Sequence, residues 1–260
     1  MKRILLQLLL LLIVVSASAG EMVLRGTFQG ENLYVKNPFA SSGVGFCIYE
    51  VTVNGLTTTD EINSSAFEVN LSVYSFSIGQ PVIVALRYKD DCLPKVLNPE
   101  VLDARATFQV QNIKLDGDKL TWNTTGEAGT LPFIVEQFRW NKWVRVGQLE
   151  GKGSAATNSY GILVRLNSGE NRFRVKQTDS KNKTRYSPEI NTDAKIPEVT
   201  FTPDRVDDVI TFSAQTMYEI YDEFGGIVFK GYGNTIKVNG LQKGKYYLNY
   251  DNKMERFTKK

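Results

Sequence analysis

Met217-Tyr218-Glu219-Ile220-Tyr221-Asp222-Glu223-Phe224-Gly225-Gly226-Ile227-Val228-Phe229-Lys230-Gly231 decides how this chain folds. Two runs rich in β-branched and aromatic residues flank Asp222-Glu223-Phe224-Gly225, a turn with glycine where positive φ is needed. Upstream lie Val199 to Pro203 and Val206 to Phe212; downstream, Thr235 to Leu241 leads through a second turn, Gln242-Lys243-Gly244-Lys245, into Tyr246-Tyr247-Leu248. The segment therefore reads as a meander of strands. The same punctuation recurs along the whole chain, which is the pattern of sandwiches or barrels. Only Thr59 to Asn70, with Asp60-Glu61 early and apolar Ile62, Ala66 and Phe67, admits a short helix.

The chain opens on Met1-Lys2-Arg3, an apolar run from Ile4 to Val15, and Ser16-Ala17-Ser18-Ala19-Gly20. A positive start, an apolar stretch and an Ala-x-Ala site, Ala17 and Ala19 before Gly20, describe a cleaved secretory signal. The run is shorter than the roughly 20 residues a spanning helix needs, so no membrane insertion is expected. Residues 1–19 are accordingly read as a signal peptide, 20–103 as an N-terminal sandwich, 104–194 as a second module and 195–260 as a C-terminal β-domain.

Lys2 and Arg3 leave with the signal, so 31 basic residues become 29 against 28 acids and the net charge falls from +3 to +1. That balance gives no support to a nucleic-acid partner, which calls for a concentrated basic face. With no histidine, Ser-His-Asp and Cys-His catalysis and His-based metal hydrolysis are excluded. The carboxylate pairs Asp90-Asp91 and Asp207-Asp208 read as strand neighbours pointing to opposite faces, hence as solvated charges rather than an acid/base dyad. No phosphate- or dinucleotide-binding glycine motif occurs; Gly151-Lys152-Gly153 and Gly231-Tyr232-Gly233 are turn glycines. No catalytic set, cofactor or metal is expected. Cys47 and Cys92, in an exported chain, read as a disulfide closing a loop of about 45 residues, on the order of 3 to 4 kcal/mol of stabilisation.

In the first module, strand-like runs occur at Val23–Phe28, Asn32–Val35, Phe46–Val53 and Pro81–Tyr88, with the hairpin signal Asn54-Gly55 after the third. Cys47 falls on one run and Cys92 just beyond another, while Leu93 to Pro99 reads as the way out. In the second, Leu120-Thr121-Trp122, Phe133 to Phe138, Trp143 to Gly147 and Asn171 to Asp179, closed by Tyr186-Ser187, resemble a fibronectin type III domain. The resemblance implies a seven-stranded sandwich and a spacer or binding role. With two to three tandem β-sandwich modules of immunoglobulin or fibronectin III type, the fold class is all-β. Asn141-Lys142 reads as a hairpin loop that sets Trp140 and Trp143 side by side on one face, as an aromatic pair closing the hairpin or as a partner surface for sugar or peptide. Arg139, Lys142 and Arg145 between them read as a solvated sheet face.

The opening stretch also resembles the C-terminal sorting domain of type IX secretion substrates of the Bacteroidota. The residues that carry this are Tyr221, Asp222, Gly225 and Gly231 of the hairpin, Leu241, Lys243, Gly244 and Tyr246 of the next strand, and the basic end Lys259-Lys260. Thr202-Pro203-Asp204 stands where that family opens on Pro-Asn-Pro, and little chain follows Tyr247. The resemblance implies one of two roles. The chain is a non-enzymatic periplasmic accessory that binds or sterically closes the outer-membrane β-barrel translocon, or it is cargo, a surface or extracellular binding module whose C-terminal domain is recognised and removed.

Overall fold

The computed structural model describes residues 19–41, 43–89 and 92–260. The signal-peptide reading up to residue 18, Ala17 included, and the Asp90-Asp91 pair lie outside the described residues. Ala19 and Gly20 open the first strand. Among the described residues there are twenty-one strands, two short 3-10 turns and no α-helix. The chain divides into two compact units, one running to Phe76 and resuming over Pro81–Asp103, the other holding Ser77–Gln80 and Ala104–Lys260.

The first unit holds β1 (Ala19–Thr27), β2 (Leu33–Lys36), β3 (Ile48–Val53), β4 (Leu56–Thr57), β5 (Ala66–Val69), β6 (Pro81–Lys89) and β7 (Lys95–Val96). A four-stranded sheet, β1-β6-β3-β4, and a three-stranded one, β5-β2-β7, enclose a core that includes Leu33, Val51, Val69, Val84 and Leu86. Asn54 and Gly55, at φ 47° and 83°, make the tight β3–β4 turn that Asn-Gly signals. Three expectations are corrected. Thr59–Asn70 forms no helix, because Phe67 and Val69 are buried while Ala66 and Glu68 are exposed, a two-residue period that suits a strand against β2. Leu93–Pro99 does not leave the module: β7 pairs with β2, and Val96, Val101 and Leu102 complete the core. The Cys47–Cys92 bridge is formed, with Cα atoms 5.9 Å apart; Cys47 stands one residue before β3 rather than on it.

The second unit begins with β8 (Gln109–Asp116), β9 (Lys119–Thr125), β10 (Pro132–Arg139), β11 (Lys142–Glu150), β12 (Asn158–Leu163), β13 (Gly169–Thr178), β14 (Thr184–Tyr186) and β15 (Ile190–Ala194). Sheet β12-β9-β8 faces β11-β10-β13-β14, with β15 also on β13. Between them Trp122 packs edge-on to Phe133 and stacks on Tyr160, above Phe173 and Val175. This is a fibronectin III-like sandwich. Glu127, a buried acid of this sandwich, accepts hydrogen bonds from Tyr160 Oη at 2.8 and 3.0 Å, from the Gly153 N–H at 2.8 Å and from Thr124 Oγ1. The Gly151-Lys152-Gly153 loop is thus pinned to the sandwich edge.

The chain continues through β16 (Phe201–Thr202), β17 (Arg205–Val206), β18 (Val209–Tyr221), β19 (Ile227–Lys237), β20 (Gly244–Tyr250) and β21 (Lys253–Lys259). These form one six-stranded sheet, β16-β18-β20-β21-β17, with β19 on β18, around a separate core of Ile210, Phe212, Ile220, Val238, Leu248 and Tyr250. It is no simple meander, since β18 pairs with both β19 and β20 and β17 runs parallel to β21. Gly225 sits at φ 83° in the expected turn, but Gly244 opens β20 and has no positive φ. Asp207 and Asp208 are exposed in the link between β17 and β18, not in a strand.

Candidate functional site

The β10–β11 hairpin carries Phe138-Arg139-Trp140-Asn141-Lys142-Trp143. Its register pairs Arg139 with Lys142 and Phe138 with Trp143, so the turn residues are Trp140 and Asn141, at φ 52° and 57°. The expected Asn141-Lys142 loop is therefore shifted by one residue, and the two tryptophans are not cross-strand neighbours. Trp143 meets Phe138 edge-on at 5.3 Å and lies under the Arg174 guanidinium at 4.0 Å. Arg174 in turn bonds the buried Glu136 at 2.8 Å and covers Tyr186. Trp143 thus belongs to an arginine–aromatic ladder on the outer face of the sheet.

Trp140, 8% exposed, turns the other way and donates its indole N–H to the Asp251 carbonyl at 2.9 Å. Asp251 and Asn252 form the β20–β21 turn, with Asp251 at φ 44°. The Asp251 carboxylate accepts the Ser168 N–H at 2.8 Å, the Val199 N–H at 3.1 Å and the Ser168 hydroxyl. Asn252 Nδ2 donates to the Glu170 carbonyl at 3.0 Å, and Asn167 Nδ2 to Asn252 Oδ1 at 2.9 Å. One turn of the C-terminal sheet is thereby fastened to one loop and a hairpin tip of the sandwich, and to Val199 of its own domain.

Lys142 adds a second fastening, its ammonium lying 2.6 Å from both Glu219 Oε2 and Tyr221 Oη. Tyr221 Oη also donates to Glu219 at 2.5 Å. Burial alone would lower the Lys142 ammonium, but hydrogen bonds and charge from Glu219 and Tyr221 outweigh it and raise the group above its ordinary value. The Tyr221 phenol is raised by burial and by Glu219, against the pull of Lys142. Lys142 is therefore an ion-pair partner and not part of a free solvated face.

Arg139 departs furthest from expectation. It is 3% exposed, donates through Nη2 to Gln137 Oε1 and stands 5.3 Å from the Trp140 ring. Its Nε and Nη1 hydrogens meet no acceptor. Burial pushes the guanidinium down to about 10, against the fields of Asp251 and Glu219, so it remains a cation at neutral pH. Two cavities border it. One of about 420 Å³ lies toward Asn141, Glu170 and Asn252; the other, of about 790 Å³, lies toward Leu166, Val199 and Met217.

Of the sorting-domain-like residues, only Tyr221 reaches this junction. Asp222 builds its turn by accepting the N–H groups of Phe224 at 3.0 Å and Gly226 at 2.7 Å. At Gly231 a Cβ would stand 2.6 Å from Tyr218 Oη, so glycine lets that ring lie across the neighbouring strand. Leu241 packs beside the core, Tyr246 stacks on Phe257 and donates to the Gln242 carbonyl at 3.0 Å, and Lys243 is exposed. Lys259 ends β21 opposite Gly244, and Lys260 is exposed beyond it. Asp251 and Arg139, the centre of the junction, were not legible as site residues, because both look like surface charges near a turn.

No family model and no curated protein matches the chain. Among solved structures it is similar to the tetra-tandem repeat in the extending region of a large adhesion protein, at 10% identity and TM-score 0.34 over 93% of this chain and 73% of that one. It is also similar to fibronectin(III)-like modules of Clostridium thermocellum CbhA, at 12% identity and TM-score 0.21 over 59% of this chain and 94% of that one. A third is the BSP domain of a biofilm associated protein, at 9% identity and TM-score 0.20 over 92% of this chain and 81% of that one. All are β-sandwich modules, and at these scores the likeness carries no argument about function.

Proposed function

We propose that the chain is an exported, non-enzymatic binding protein of the type IX secretion pathway, a periplasmic accessory that sterically closes or binds the outer-membrane β-barrel translocon. The reading begins from the sorting-domain-like hairpin and basic end. The observation that favours an accessory over cargo is the double fastening of that C-terminal sheet to the module before it: Asp251 to Ser168 and to the Trp140 indole, and Glu219 and Tyr221 to Lys142. A tag meant for removal gains nothing from buried ties to the module before it, whereas a retained domain uses them to present one firm surface. Closure of a channel by such a body is steric, and cargo or a partner opens it by competing for the polar interface.

The test is intact-mass measurement of the native protein from periplasmic and extracellular fractions, with mild-detergent co-purification from membranes. A C-terminus at Lys260 in the periplasm, together with a large barrel protein in the eluate, is the expected result. Recovery outside the cell without the last 60 to 80 residues, roughly one small domain, would establish cargo instead. Absence of a barrel partner overturns the closure role.

A further inference from the structure

In the first unit β1 ends the four-stranded sheet β1-β6-β3-β4 and pairs with β6 in an unbroken register, from Ala19 opposite Lys89 to Thr27 opposite Pro81. Among the described residues no strand pairs with its other edge, which has neither a proline nor a bulge to guard it. Glu21, Val23 and Arg25 stand on the exposed face of the sheet, Val23 being 41% exposed. Met22 and Leu24 face the core and are only partly buried against it, as suits a strand with an open side. The 3-10 turn Pro99–Leu102 meets β1 at its end, where the Leu102 carbonyl accepts the Thr27 hydroxyl at 3.4 Å.

Gly20-Glu21-Met22-Val23-Leu24-Arg25-Gly26 reads the same from either end in size and polarity, and with opposite sign in charge. Laid antiparallel on a second copy about Val23, it sets Gly20 against Gly26, Glu21 against Arg25, Met22 against Leu24 and Val23 against itself. Opposite charges directly across such a pair stabilise it, and like charges weaken it. The match also extends a row the sheet already holds. Glu21 lies 3.2 Å from Arg87 and Arg87 2.8 Å from Glu50, so the row Glu50-Arg87-Glu21 ends on an acid that the Arg25 of a second copy continues with the opposite sign. Arg25 stands opposite Ile83 and has no ion pair among the described residues of its own chain. Other pairings are worse: parallel strands in register set Glu21 on Glu21 and Arg25 on Arg25, and a slip of one residue sets Glu21 against Leu24 or Arg25 against Met22.

We propose that the chain pairs with a second copy of itself through β1, the two four-stranded sheets joining edge to edge as a two-fold dimer with Val23 on the axis. The proposal does not depend on the secretory role. Sedimentation of the chain from Gly20 onward, between about 1 µM and about 1 mM, covers the affinities of small transient interfaces and is expected to show monomer giving way to dimer. Arg25→Glu, on a residue that faces Ile83 within its own chain, is expected to weaken the dimer about tenfold or more, since both ends of the pairing then hold like charges. Glu21→Arg is expected to do the same, and an equal mixture of the two variants to recover dimer, because every charge again meets its opposite. Should Glu21→Arg not fold for want of its tie to Arg87, cysteine cross-linking reads the register without it. Cys47 and Cys92 are already bridged, so Val23→Cys gives the chain one free thiol. On the axis its Cα atom lies about 4.5 to 5.5 Å from that of the second copy, within reach of a disulfide, and mild oxidation is expected to link the two. Glu21→Cys, roughly 13 Å from its counterpart at four residues off the pairing, is expected to link far less. A monomer across the whole range overturns the proposal, as does a dimer that Arg25→Glu leaves unchanged or equal cross-linking by the two cysteine variants.

Discussion

Trp140 donates its indole N–H to the main-chain carbonyl of Asp251 across 111 residues of sequence. Both residues hold left-handed backbone conformations in two-residue turns, Trp140 at φ 52° and Asp251 at φ 44°. Positive φ at the first central position is what a two-residue hairpin turn calls for, and it is uncommon for a residue as bulky as tryptophan. The hairpin tip of one sheet is the docking point for the hairpin tip of the other.

Asp251→Ala is expected to cost the second unit about 2 to 4 kcal/mol, because the Ser168 and Val199 N–H groups lose their acceptor and Arg139 loses a compensating charge. Denaturant unfolding followed by tryptophan fluorescence measures it, with emission shifting to the red as Trp140 is released. A midpoint within experimental scatter of wild type would show that the carboxylate does not secure the junction.

The Lys142–Glu219–Tyr221 cluster makes stability fall in alkali. Lys142 and Tyr221 both have folded values above their unfolded 10.5 and 10.0, so their contribution is complete below about pH 10 and is lost as pH rises through the folded values. Tyr221→Phe removes the phenol and also part of what raises Lys142. It is expected to cost about 1 kcal/mol at pH 7 and to flatten the decline above pH 10. Thermal melts from pH 8 to 11 decide the matter, and parallel profiles for the two proteins would count against the assignment.

The sheets were legible in the sequence because alternation is a local property: Phe67 and Val69 face inward and Glu68 outward in β5 just as in any half-buried strand. The junction was not, because what buries Arg139 and Trp140 lies a hundred residues away. Asn141-Lys142 looks the better turn on local preference, yet the ladder places Trp140-Asn141 there, and the ring's burial against the Asp251 turn favours that register. Tertiary contact overrides propensity at this hairpin. Gly231 shows the converse: a glycine read as a motif residue turns out to leave room for the Tyr218 ring.

Removing the disulfide by Cys47→Ala with Cys92→Ala is expected to destabilise the first unit by about 3 to 4 kcal/mol, from the loop it closes. The chain has three tryptophans, Trp122, Trp140 and Trp143, and all belong to the second unit. Circular dichroism should therefore show an earlier transition while the fluorescence midpoint stays in place. Equal shifts of both signals would mean the bridge acts on more than its own module.

Glu127 is 1% exposed, and Thr124, Tyr160 and the Gly153 N–H all donate to it. Because Tyr160 stacks on Trp122 at 5.3 Å, the carboxylate ties the 151–153 loop to the central tryptophan of the sandwich. Burial, followed by the bond to Glu127, holds the Tyr160 phenol well above its ordinary value, so it remains a donor throughout the usual pH range. Glu127→Ala leaves the Gly153 N–H without its acceptor inside the fold and is expected to cost about 2 to 4 kcal/mol. Glu127→Gln keeps one acceptor oxygen and should cost about half as much, since its amide must face at least one of the three donors. Amide exchange at Gly153 provides the local reading: protection should drop markedly in Glu127→Ala and partly in Glu127→Gln. Unchanged protection in both would mean that packing of the loop, and not the carboxylate, holds it against the sandwich.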